Sequence, residues 1–156
     1  MEANASEKQA REFVARSCTA MDQLDFNRFL GMCDPSFNYK ITAYSPEIRR
    51  QMVWLDKDKK GLKELLDLLP QQNMDKTPIT RHTTLATVEP AEEEHCYDVT
   101  SNLQVFRTEM DGGVTSLYAV GKFYDRIKLN GGEPKLVARE VRLETRMLGT
   151  GYHIPF

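Results

Sequence analysis

Val114-Thr115-Ser116-Leu117-Tyr118-Ala119-Val120-Gly121-Lys122-Phe123-Tyr124-Asp125-Arg126-Ile127-Lys128-Leu129 is the stretch on which the fold turns. Its odd positions Leu117, Ala119, Gly121, Phe123, Ile127 and Leu129 suit a core, and its even positions include Lys122, Arg126 and Lys128. A period of two is that of a strand with one buried face. Asp111-Gly112-Gly113 precedes it and Asn130-Gly131-Gly132 follows it. Glycine and asparagine supply the positive φ that tight strand reversals require. Strands are therefore predicted on both sides, over His95–Met110 and Pro134–Leu148. A further strand, Ile79–Glu89, joins through Pro90–Glu94. The result is three successive hairpins.

Register follows from parity. Val99, Leu103 and Val105 are odd, as are Val137, Val141, Leu143 and Met147. Paired strands must put their core faces on the same side, so odd positions should face odd positions. Gly121 marks a bend or bulge in so long a strand.

Upstream the period lengthens. Ala10, Phe13, Val14, Cys18 and Met21 predict a helix over Ser6–Met21, with Ser6 as N-cap. Asp25 can cap a short helix carrying Phe26, Phe29, Leu30 and Cys33, stopped by Asp34-Pro35. Phe37, Tyr39, Ile41 and Ala43 then alternate as the inner face of a strand, and Gln51–Leu55 suits another. Asp56 or Asp58 can cap a helix over Lys59–Leu69, whose Leu62, Leu65, Leu66 and Leu69 share one face. Leu62-Lys63-Glu64-Leu65-Leu66 is read as core at that spacing. Pro70 ends this helix, and Gln71–Pro78 reads as a polar loop. The whole is an α+β plan: N-terminal helices packed on the concave face of a long curved antiparallel sheet, forming a cone with a pocket at its open end. Residues 1–156 are expected to form one such domain.

Composition narrows the function classes. With 21 basic and 23 acidic residues and no charged block, nucleic acid is a poor partner. No stretch approaches the ~18 apolar residues of a membrane span, and the first residues do not read as a signal peptide. The three cysteines, Cys18, Cys33 and Cys96, suggest no disulfide framework, so a reducing cytoplasm is expected. His82, His95 and His153 stand singly, without Cys-x-His or Cys-x-x-His. The chain cannot build a Rieske cluster or a two-histidine-one-carboxylate iron site from such spacing. The Gly-Gly pairs sit in hairpins and are not phosphate loops. No catalytic, cofactor-binding or metal residue is assigned.

Two charged residues fall on the apolar parity, Asp125 and Arg139, and are expected to form a buried ion pair. It either satisfies two buried charges or tunes a pocket. The even positions Glu140, Arg142, Glu144 and Arg146 form a ladder of alternating sign beside Lys122, Arg126 and Lys128. Such a face is either solvated or a subunit contact. The tail Gly151-Tyr152-His153-Ile154-Pro155-Phe156 either packs locally or crosses onto a neighbour, with Tyr152 and Phe156 as contacts. In Thr80-Arg81-His82-Thr83, a histidine tied into a hydrogen-bond network is expected ahead of a catalytic one.

Several segments together resemble the small (beta) subunits of Rieske-type ring-hydroxylating oxygenases. They are Thr80-Arg81-His82, Ser101-Asn102-Leu103-Gln104-Val105-Phe106-Arg107-Thr108, Gly121-Lys122-Phe123-Tyr124-Asp125 and Lys135-Leu136-Val137-Ala138-Arg139-Glu140-Val141 with Leu143-Glu144. Ile41-Thr42-Ala43-Tyr44-Ser45-Pro46-Glu47-Ile48-Arg49, Trp54-Leu55 and Thr77-Pro78-Ile79-Thr80-Arg81-His82 are similar to the small subunit of methanesulfonate monooxygenase, a relative acting on a small sulfonate. The resemblance implies the cystatin-like, nuclear-transport-factor-2-like cone and no cofactor in this chain. It also implies a large (alpha) partner holding the Rieske iron–sulfur cluster and mononuclear iron, commonly as three alpha and three beta chains. A reductase or ferredoxin would supply electrons. The competing expectations are a free-standing cone-fold isomerase or dehydratase, with Asp125, Tyr39 or His82 as acid or base, and a small-molecule-binding module. A free enzyme needs an open pocket with convergent polar groups; a subunit can fill its cone with Phe37, Tyr39, Phe106 and Phe123.

Overall fold

The computed structural model describes residues 2–69, 77–146 and 155–156. Helix α1 spans Glu2–Asp22, α2 spans Phe26–Gly31 and α3 spans Lys59–Leu68. The strands are β1 (Cys33–Ser45), β2 (Arg50–Asp58), β3 (Ile79–Pro90), β4 (Cys96–Thr108), β5 (Thr115–Lys128) and β6 (Lys135–Leu143). They form one six-stranded sheet in the order β2-β1-β6-β5-β4-β3.

The run from β3 to β6 is a meander of three hairpins, as the turn residues require. Gly112, Gly113 and Gly131 take φ values of 81°, 68° and 87°, the left-handed conformation that glycine adopts without strain. Odd positions face odd positions: Val99 opposes Asp125, Ser101 opposes Phe123, and Phe123 opposes Val141.

The sheet is mixed rather than wholly antiparallel. β1 lies parallel to β6, with Tyr39 opposite Arg139 and Ile41 opposite Val141. Hairpin turns fix the direction of each strand relative to its chain neighbour, but not how the first strand docks on the last. Parity is satisfied either way, because Tyr39, Ile41 and Ala43 still share a face with Arg139, Val141 and Leu143.

Bulges move several side chains from their expected places. The β5–β6 register slips between Arg126 and Ile127, so Leu136, not Val137, is buried opposite Ile127. The β4–β5 register slips between Val105 and Phe106, leaving Leu117 53% exposed. Strand β6 stops at Leu143: the Glu144 and Thr145 amides both donate to the Val120 carbonyl, at 2.8 and 3.3 Å. Thr145 Oγ1 accepts from the Val120 amide at 2.9 Å. Met147 lies outside the described residues.

The helices complete the core. α1 begins before Ser6, which therefore does not cap it; no proline or glycine lies between Glu2 and Ser6 to break the helix. Ala10, Phe13, Val14, Cys18 and Met21 are buried. Asp25 caps α2 by accepting the Arg28 amide at 3.1 Å. The chain enters β1 at Cys33, so Asp34-Pro35 belongs to the strand and does not stop the helix. Asp58 caps α3 through the Gly61 amide at 2.8 Å, and Leu62, Leu66 and Leu69 are each 1% exposed.

Gly121 sits close against the main chain of β6. A Cβ there would lie 2.3 Å from the Arg142 carbonyl oxygen and 3.0 Å from Leu143 Cα, both main-chain atoms that cannot yield. Gly121→Ala is expected to destabilise the fold by ~1–3 kcal/mol, the range of overpacked cores. A urea titration followed by circular dichroism checks this.

Candidate functional site

The inner face of the sheet carries the two charges that parity singled out. Asp125 stands directly opposite Arg139 in the β5–β6 ladder. Arg139 Nε donates to Asp125 Oδ1 at 2.8 Å and Nη2 to Oδ2 at 3.0 Å, a two-pronged pair with side chains 1% and 0% exposed. Nη2 also donates to Ser17 Oγ at 3.0 Å, and that hydroxyl donates to the Val14 carbonyl at 2.6 Å. The guanidinium lies 4.0 Å over the Phe123 ring. Burial pulls the guanidinium toward losing its proton, but the Asp125 charge and hydrogen bonds more than reverse this, so Arg139 holds its proton above the usual arginine range. Burial pushes the Asp125 carboxyl up, against the opposing pull of Arg139. The pair ties α1 to the middle of the sheet.

A second buried arginine escaped the sequence reading. Arg81 has a side chain 2% exposed, and its Nη1 meets Asp22 Oδ1 at 2.6 Å. Its amide donates to both Asp22 oxygens at 3.2 Å, and Nη2 donates to the Pro155 carbonyl at 3.0 Å. The missed signal was parity again: Arg81 is odd, on the inward face of β3, as Arg139 is on β6. His82 is even and therefore outside. Its ring meets Phe106 edge-on, centroids 5.2 Å apart, in place of the expected hydrogen-bond network. Phe106 does not fill the cone, because it is an even position and alternation after the buried Val105 puts it on the outer face beside His82.

The three acid–base candidates do not converge. Asp125 is held by Arg139, His82 is on the outer face, and the Tyr39 hydroxyl donates to the Phe156 backbone oxygen at 3.1 Å. Phe37, Tyr39, Phe123 and Phe156 are all at or below 1% exposure and fill the interior. Phe156 is therefore packed in its own chain, not presented to a neighbour; its ring gains more from this core than from solvent. Tyr152 lies outside the described residues.

Among the described residues, no three His, Cys, Asp or Glu side chains gather to hold a metal ion. The described donor set does not fit a Rieske cluster or a mononuclear iron. Burial pushes the Cys33 thiol up to about 12 and the Cys18 thiol up as well, away from the thiolate a metal would need.

The outer face is charged but is not a uniform ladder. Glu144 and Arg146 have left the strand, because the chain turns onto Val120 after Leu143. Arg142 pairs with Glu140 beside it on β6 and lies 3.9 Å over the Tyr124 ring. Arg146 pairs with Glu47, and Arg126 meets Asp98 at 3.0 Å and Glu93 at 3.3 Å. Lys122 stands opposite Arg142 with no counter-ion among the described residues. Lys122, Glu144, His82, Thr84, Asn102 and Gln104 rim a hollow of about 440 Å³. Tyr44, Ile48 and Val53 are exposed around the β1–β2 hairpin, and Met110, Val114 and Leu117 at the β4–β5 hairpin.

Asp125→Ala is expected to lose ~3–5 kcal/mol of stability, because it strands a buried cation. Asp125→Leu combined with Arg139→Met should recover most of that loss, since packed apolar groups replace such a pair at little cost. Chemical denaturation of the wild type, the single and the double variant checks both.

Comparison with known proteins places this geometry. Residues 16–150 match the model of a family described as the ring hydroxylating beta subunit. The chain is 37% identical over 152 residues to the methanesulfonate monooxygenase hydroxylase subunit beta of Methylosulfonomonas methylovora, covering 93% of this chain and 84% of that one. It is 31% identical over 144 residues to the 2-aminobenzenesulfonate 2,3-dioxygenase subunit beta of an Alcaligenes species, covering 92% and 95%. A beta subunit assigned to an aromatic-ring-hydroxylating dioxygenase of Novosphingobium aromaticivorans superposes with a TM-score of 0.86 at 20% identity, each chain covered in full. That likeness concerns the fold: helices packed against a curved six-stranded sheet in an α+β cone. The chain belongs to the ring-hydroxylating beta subunit family.

Proposed function

We propose that this chain is the non-catalytic small subunit of the terminal hydroxylase of a multicomponent Rieske oxygenase, and that it assembles with and stabilises a large subunit. The observation that carries this reading is the fate of its polar groups. The inward groups Asp125, Arg139, Ser17, Tyr39 and Arg81 are engaged within the chain, while charge and exposed apolar side chains lie outside. Among the described residues, a core so engaged offers no free acid or base to a substrate, whereas aromatic and arginine side chains on an outer surface suit protein contact.

Redox chemistry then belongs to the large subunit, where the Rieske cluster and mononuclear iron would reside, with a reductase or ferredoxin delivering electrons. Three large and three small chains, one cone domain over residues 1–156 and a cytoplasmic location fit the same reading. No described helix is long and apolar enough to cross a membrane. Both curated relatives are named for sulfonates. This supports a sulfonate-bearing substrate for the complex, recognised chiefly by the large subunit.

Co-expression with the large subunit of a methanesulfonate-type hydroxylase is expected to yield a mixed oligomer in native mass spectrometry. The isolated small subunit should show neither oxygenase activity nor bound iron. Recovery of this chain only as an active monomer would refute the reading. Arg142→Glu is expected to slow association about tenfold at low salt, with the difference shrinking as salt is raised, because rim charges act mainly through steering. Stopped-flow mixing at two ionic strengths measures this.

A further inference from the structure

Three cations stand around one cleft between the first two helices and the β5–β6 hairpin. Arg16 comes from α1, Arg28 from α2 and Lys135 from the start of β6. The cleft holds about 220 Å³, with Phe13, Met32 and Pro134 as its apolar lining. It shares no residue with the Asp125–Arg139–Ser17 cluster or with Tyr39 and Arg81. Arg11, Arg81, Arg126, Arg139, Arg142 and Arg146 each find a carboxylate within the chain. Among the described residues, Arg16 and Arg28 find none, although they line the same cleft. Glu133 lines it too, 3.9 Å from Lys135 Nζ, but its side chain is 90% exposed and its charge is largely screened by water.

The walls of the cleft are fixed to one another. Lys135 Nζ donates to the Gly31 carbonyl at 2.7 Å, and the Leu136 amide donates to the Met32 carbonyl at 2.9 Å. These bonds tie the end of α2 to β6 and leave the Lys135 ammonium two further N–H donors. The carbonyls at the end of α2 would repel an anion if they were bare. They are occupied: the Met32 amide donates to Arg28 and Phe29, and Lys135 covers Gly31. The cleft is open beside Gly31, where an added Cβ would meet nothing within 4 Å.

We propose that this cleft is a binding site for small phosphate monoesters carrying a single ring or a short apolar chain. Such a phosphoryl group is close to doubly charged at neutral pH, its second ionisation falling near about pH 6. Two guanidinium forks and one ammonium suit a dianion with several acceptor oxygens. An apolar cavity of ~150 Å³ is enough for benzene, so the cleft has room for one ring beside its lining. The site lies within one chain and does not rest on the subunit reading.

The test titrates the full chain at low salt with phenyl phosphate, inorganic phosphate and phenol, followed by calorimetry and by amide chemical shifts. Phenyl phosphate should bind saturably to the wild type and shift the amides of Gly31, Met32 and Lys135. Inorganic phosphate has no ring for the apolar lining and phenol has no charge, so each should bind at least about tenfold more weakly. Arg16→Ala and Arg28→Ala should each weaken phenyl phosphate about tenfold, and Arg28→Lys should restore only part of that loss. Gly31→Leu fills the cleft without changing its charge and should abolish binding. Lys122→Ala removes one positive charge from the outer face of the sheet and should leave binding unchanged. Absence of saturable binding, shifts centred elsewhere, or equal affinity for inorganic phosphate overturns the proposal. So does affinity that survives Gly31→Leu or falls as much with Lys122→Ala as with Arg28→Ala. The shift map is read on the wild type, so it decides the matter even where a variant fails to fold.

Discussion

An arginine and an aspartate in the middle of an apolar sheet face constrain everything around them. Neither Arg139 nor Asp125 reaches solvent, so each is tolerable only while the other is opposite it. That fixes the β5–β6 register at one position, and the parity of the sheet carries the constraint outward. Ser17 takes a third donor of the guanidinium, which ties α1 to the same point of the sheet. Phe123 lies beneath the guanidinium and fills the space an aliphatic side chain would otherwise occupy. The helix, the two strands and the interior packing are thus positioned by one pair of charges. An apolar replacement could match its stability but would not specify the register in the same way.

This explains which parts were legible from residues alone. The hairpins were, because Gly112, Gly113 and Gly131 announce left-handed turns and the apolar parity on either side agrees. Asp125 and Arg139 were, because a charge on the apolar parity has few permitted partners. The cap Asp25 was, and Asp58 was one of two candidates with Asp56; each accepts an amide three residues on. The parallel β1–β6 pairing was not, since the partners lie far apart in the chain and no local chemistry names them. The bulges at Arg126 and Val105 were not either, since a register slip depends on how twisted strands meet. They account for the exchange of Val137 for Leu136 and for the outward turn of Leu117.

The candidate surface was harder to read than the core. A row of alternating charges on even positions predicts an outer face, and that face exists, but it ends where Glu144 turns onto Val120. Arg142 takes its carboxylate from its own strand and its aromatic partner from the next one. Such contacts depend on side-chain conformation, which periodicity does not encode. Arg81 is a different kind of omission. It sat beside a histidine, and histidine attracts functional attention, yet its own parity marked it as the buried member.

The parallel docking of β1 on β6 also bears on how the chain reaches its native state. Ile41 and Val141 must find each other across most of the polypeptide, and β2 and α3 depend on β1 for much of their packing. During synthesis the N-terminal half emerges with its β1 edge unpaired, and β6 arrives only after the whole meander is made. Long-range pairing of this kind slows folding and leaves apolar strands open to aggregation meanwhile. The order of synthesis thus makes the last strand the closing step of the first, so the timing of translation and chaperone capture should govern the yield of folded protein.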